Sequence, residues 1–167
     1  MPDMRDAMKG AGFHGARPQG DRRSDPARGD AGDRGRSANP FPPGYPHYLT
    51  AEGHTRVELI TGEAESLAAR FEADRLKRHQ LRAFYDHAKR QLQRLAYGAS
   101  FEEVHPEIAR LKAFAADRAG RADNALPASF KQFIDRNVDA VTDAASFRRG
   151  FIPHFEAVVA YCARIKD

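Results

Sequence analysis

Chemistry at a protein site needs a nucleophile, a proton carrier, a metal set or a concentration of like charge, and this 167-residue chain has candidates for each. Its single cysteine, Cys162, stands on an apolar repeat with Phe155, Val158, Val159 and Ile165, and is expected to be buried as a small hydrophobe. His105/Glu107 and His154/Glu156 are each two residues apart. On a helix that spacing turns partners to different sides, whereas a helical metal pair needs four. His79 and His87 sit in a basic stretch and could touch phosphate, but read as ordinary surface histidines. No Gly-rich phosphate loop follows a strand. The chain is therefore expected to be no enzyme and to carry no metal or cofactor.

Concentrated charge is the candidate that survives. From Arg75 to Tyr97, seven basic residues (Arg75, Lys77, Arg78, Arg82, Lys89, Arg90, Arg94) stand against one acid, Asp86. Like charges one turn apart repel by about 0.2–0.5 kcal/mol per pair, so a helix this one-sided suits an anionic partner, most simply a nucleic-acid backbone. Arg110, Lys112, Arg118 and Arg121 form a second group against Asp117. Packing two such helices side by side would join their faces into one strip.

The elements that must position these groups are helical. Leu81, Phe84, Tyr85, Ala88, Leu92 and Leu95 recur at spacings of three and four, one face of a helix over 75–97, and Gly98 suits the left-handed residue that ends it. Before it, Leu67, Ala68 and Phe71 mark a short helix with an acid-rich first turn. After it, Ser100 and Glu103 fit a capping box, while Pro106 suits only a first turn, so the next helix is expected to start at Pro106, with Ile108, Leu111, Phe114 and Ala115 buried and Gly120 closing it. A loop over 124–127 opens a helix striped by Phe130, Phe133, Ile134, Val138 and Val141, with exposed charges of mixed sign. In the last segment Pro153 is expected to kink the helix or mark its beginning. With no strand alternation and no hairpin dipeptide, residues 50–167 read as an all-α bundle of four to five helices.

Residues 1–49 differ. The first 47 hold eight of the 13 glycines and seven of the 10 prolines, with eight basic and six acidic side chains and almost no aliphatic ones, a composition expected to stay disordered. FPPGYPHY at 41–48 reads as a hinge into the domain. Net charge is +4 with a pI near 9.4, basic yet far from histone-like. The start lacks a signal-peptide core and no apolar run is long enough to span a membrane, so a cytoplasmic setting is expected.

Gln80–Asp86 (QLRAFYD), Leu111–Arg121 (LKAFAADRAGR) and Phe155–Tyr161 (FEAVVAY), in this order, resemble the small subunit of the type III-A CRISPR effector, the Csm complex. The likeness covers about residues 60–167. It departs at Asp117, where the family tends to carry tyrosine, and at Cys162, where a basic residue is common. The resemblance implies a helical bundle present in several copies along the backbone filament, in contact with the backbone and large subunits. It implies contact with guide RNA and target RNA through basic side chains, without catalysis and without reading sequence, which base pairing supplies. On that basis Lys77, Arg78, Arg82, Lys89, Lys112 and Arg121 are expected to touch phosphate, followed by Arg90, Arg94 and Arg118. Phe155, Val158 and Val159 are expected in the core, with Glu156 and Tyr161 structural. A protein-only adaptor docking an acidic partner stays open beside the RNA reading. A helix-turn-helix DNA regulator fits poorly, because Glu102 and Glu103 would face phosphates after the Gly98 turn.

Overall fold

In the computed structural model residues 48–164 are described, so the disorder expected over the extension lies outside the described residues except at Tyr48 and Leu49. The chain runs through α1 (Val57–Ile60), α2 (Gly62–Ala73), α3 (Arg78–Ala96), α4 (Phe101–Ala119), α5 (Ala128–Ala140), a π-helical turn (Ser146–Phe151) and α6 (Ile152–Tyr161). The fold is all-α, as the apolar spacing predicts. Among the described residues the only β pairing is an isolated bridge between Leu49 and Thr55.

Aromatic rings form the centre of the bundle. Phe71 of α2 meets Phe130 and Phe133 of α5 edge-on at 5.2 and 5.6 Å, Phe84 of α3 meets Phe130 at 5.3 Å, and Phe155 of α6 meets Phe133 at 5.3 Å. Edge-to-face geometry sets the positive rim of one ring on the negative face of the next, adding about 0.5–1.5 kcal/mol per pair beyond burial. On the last two helices Phe130, Phe133, Ile134, Val138, Phe155, Val158 and Cys162 are buried as expected, Val159 is half-buried at the edge of its stripe, and Ile165 lies outside the described residues.

Three boundaries differ from expectation. The basic helix begins at Arg78, not Arg75. Arg75 adopts φ +60°, its amide donates to the Glu72 carbonyl, and the Leu76 amide donates to the Phe71 carbonyl. This is a Schellman turn whose hydrophobic partner is buried Leu76, so α3 restarts in a new direction with Lys77 as its extended N-cap. α4 begins at Phe101 rather than Pro106. The Ser100–Glu103 box closes reciprocally at 2.7 and 3.3 Å, and the turn it starts buries Val104. Burial of that valine, about 1.5–3 kcal/mol, helps to offset an interior proline whose freed carbonyl belongs to exposed Glu102. Phe114, expected in the core, is 43% exposed, because the buried set Val104, Ile108, Leu111 and Ala115 leaves it on the stripe's edge.

Tyr48, assigned to the hinge by composition, is core. Pro153 lies in the first turn of α6, directly after the π-helical turn. The carbonyl four residues before it, Arg149, accepts the Thr55 hydroxyl in place of the amide that proline lacks.

Candidate nucleic-acid interface

The charged faces follow from the frame of each helix. On α3 the buried side is Gln80, Leu81, Phe84, Ala88, Gln91 and Leu95. At 100° per residue the remaining positions fall into two groups. Arg78, Arg82 and Lys89 share the flank towards α6. An Arg78 Nη2–H donates to the Ala163 carbonyl at 2.9 Å, and Lys89 Nζ lies 3.9 Å from Glu156 Oε1 and 5.8 Å from the centre of the Tyr85 ring. The Tyr85 hydroxyl donates to the same carboxylate at 3.1 Å, and burial followed by the Glu156 charge pushes its pKa up to about 12. Glu156 thus bonds the basic helix, one of the structural roles open to it on sequence.

Arg90 and Arg94 share the outward face of α3. The Arg90 guanidinium lies 3.5 Å from His87 Nδ1, and an Arg94 N–H donates to Gln91 Oε1 at 3.0 Å. Among the described residues no carboxylate lies within ion-pair distance of Lys77, Arg82, Arg90 or Arg94.

The second group is dispersed by contrast. Lys112 faces α5, where its ammonium donates to Asp139 Oδ1 at 2.6 Å; that hydrogen bond raises its pKa. Arg121 is held at 2.7 Å by Asp117, the residue at which the chain departs from the resemblance. Arg110 pairs with Glu107 at 2.8 Å, and Arg118 lies over the Phe84 ring at 5.3 Å in the groove between α3 and α4. Lys112 and the α3 cations therefore look onto different elements, and the nine expected residues do not join into one strip.

The side chains considered for catalysis are accounted for by packing. Cys162 forms part of a cleft of about 180 Å³ with Leu81, Val159, Arg78, Arg82 and Ala163. Burial pushes its thiol up to about 12, so the thiolate a nucleophile needs is not formed at neutral pH. His154 is enclosed in the core with Nδ1 2.6 Å from the Leu59 carbonyl, an acceptor only, so that nitrogen carries the proton; Glu156 points out to Tyr85 and Lys89. His105 stacks on Phe101 at 4.9 Å while Glu107 binds Arg110. His87 reaches the Glu107 carbonyl at 2.8 Å and packs edge-on to Phe114 at 5.5 Å. Among the described residues no three His, Cys, Asp or Glu side chains come together as a metal site would need, and no helix is long and apolar enough to cross a membrane.

Sequence reasoning overlooked two exposed groups near the α3 C-terminus. Tyr97 is 91% exposed, and an Arg148 N–H donates to the Leu95 carbonyl at 2.8 Å. The first was legible as the one Phe or Tyr of residues 75–97 that falls off the apolar stripe. The second needed the fold, which brings position 148 back to position 95.

What the fold and its surface define is a small all-helical bundle with an aromatic core and unevenly distributed positive charge. The family model described as Csm2 Type III-A matches residues 54–166, and the chain belongs to that family: it is a small subunit of the type III-A CRISPR effector, the Csm complex, and a partner of that complex's other subunits. Neither a curated protein nor a solved structure matches it.

Proposed function

We propose that this subunit grips the guide–target RNA of its effector by the backbone, through the cations of α3, and leaves sequence reading to base pairing. The observation that carries the reading is the set Lys77, Arg82, Arg90 and Arg94, basic side chains at the N-cap and along α3 with no carboxylate in ion-pair reach among the described residues. Arg90 and Arg94 stand one turn apart, as do Arg78 and Arg82, and phosphate oxygens relieve the repulsion within each pair. Arg78 and Lys89 join from the α6 flank. Lys112, Arg118 and Arg121 are a second rank.

Magnitude supports that ordering. Exposed ion pairs contribute about 0–1 kcal/mol each, so a phosphate can displace Asp139 or Asp117, but the freed carboxylate then lies beside the incoming anion. Lys112 and Arg121 therefore add less than α3 does. The protein acts without catalysis, in the cytoplasm, in several copies along the backbone subunits.

The test is fluorescence anisotropy of the full chain with labelled RNA at about 50 and 200 mM salt. The reading predicts binding that weakens steeply across that range and varies little with RNA sequence. No binding at the lower salt, together with stable co-purification of an acidic subunit, would instead establish the protein-docking adaptor.

A further inference from the structure

At the C-terminal end of α3 an exposed ring is built into a rigid, positively charged frame. Arg90, Arg94 and Tyr97 are spaced i, i+4, i+7, one exposed row about 10 Å long at 1.5 Å per residue. Tyr97 is 91% exposed, more than the other large hydrophobics left on the surface among the described residues, Val57 at 63% and Phe114 at 43%.

The backbone beneath the ring is held firmly. The Tyr97 amide donates to the Gln93 and Arg94 carbonyls at 2.9 and 3.2 Å, Gly98 at φ +98° donates to Leu95 at 3.3 Å, and Ala99 donates to Arg94 at 3.0 Å. A helix C-terminus ordinarily repels phosphate, because its last carbonyls carry partial negative charge. Here Arg148, arriving from the π-helical turn, bonds the Leu95 carbonyl at 2.8 Å, which offsets part of that negative charge at the helix end. A lone exposed tyrosine needs no explanation, but one on a hydrogen-bonded helix end, in line with an arginine row, has the two parts of a single-strand site, a stacking face and a phosphate track.

We propose that Tyr97 is a stacking platform for an unpaired RNA base, with Arg90 and Arg94 holding the adjoining phosphates. The inference rests on the RNA-backbone reading and adds a ligand class to it: single-stranded RNA, whose bases are free to leave the helix stack. A perfect duplex offers its phosphates to the arginines and no base to the ring.

The experiment measures affinity of the full chain, wild type, Tyr97→Ala and Tyr97→Phe, for oligouridine and for an RNA duplex. Tyr97→Ala is expected to weaken oligouridine binding by about five- to a hundredfold, to leave duplex binding unchanged and to keep the salt slope; Tyr97→Phe, still a ring, is expected to retain affinity. Because the side chain is exposed, the substitution does not threaten folding. In Tyr97→Trp, the only tryptophan in the chain is expected to change its emission on adding oligouridine and not on adding duplex. A Tyr97→Ala chain that binds both RNAs as wild type does, or loses both equally, overturns the stacking proposal while leaving the backbone grip intact. If the wild-type chain binds neither RNA, the grip itself falls and the platform with it.

Discussion

The Tyr48 hydroxyl lies 2.6 Å from Asn137 Oδ1 and 3.0 Å from the Asn137 carbonyl, a buried bond joining the first described residue to α5 across 89 positions of sequence. Its backbone is left-handed at φ +58°, and its ring covers Gly150 of the π-helical turn so closely that a Cβ there would lie 2.4 Å from Tyr48 Cβ and Cγ. Asn137 completes the network by donating to the Phe133 carbonyl at 2.7 Å.

Tyr48→Phe should therefore cost about 1–3 kcal/mol in urea unfolding, the penalty for a buried amide that loses its partner. Gly150→Ala should cost about 3 kcal/mol, since a methyl cannot enter without moving the ring. A Gly150→Ala chain as stable as wild type would show that Tyr48 does not seat there in solution.

The boundary at Tyr48 shows where sequence patterning stops. Helical stripes were legible because burial repeats every three or four residues, and Leu67, Phe71, Leu81, Phe84, Phe133 and Phe155 all lie inside as spaced. Tyr48 was not, because it follows a Pro/Gly-rich stretch and is buried by a partner 89 residues away. The Arg75 turn was hidden for a related reason: nothing in an arginine announces a left-handed backbone, and the signal lay in Leu76, an apolar residue just past the α2 stripe. For the site, charge was legible and pairing was not. Asp139 reaches Lys112 from another helix, while Asp117 and Arg121 are four apart in sequence and could have been paired from it.

Ser100→Ala should lower stability by about 1 kcal/mol, the usual contribution of an N-cap. Glu103→Ala opens the other half of the same box, so the double variant should lose less than the two single losses added together. Thermal unfolding of the four proteins checks both statements.

Acid should unfold the bundle through His154. Burial lowers its pKa from 6.5 to about 4, so in that interval the unfolded chain binds a proton that the folded one refuses. Stability from this group is complete above about pH 6.5 and falls as pH drops towards 4, by at most about 1.4 kcal/mol per pH unit. His154→Gln should flatten the urea midpoint against pH over that window; an unchanged profile would assign the acid sensitivity elsewhere.

The most direct test of the central claim is the slope of log binding constant against log salt for the full chain on single-stranded RNA. It compares wild type with Lys77→Ala/Arg82→Ala/Arg90→Ala/Arg94→Ala and with Lys112→Ala/Arg121→Ala. Four lost phosphate contacts should reduce the slope by about 3, while the pair already bound to carboxylates should change it little. The reverse order, or three identical slopes, would contradict an RNA grip centred on α3.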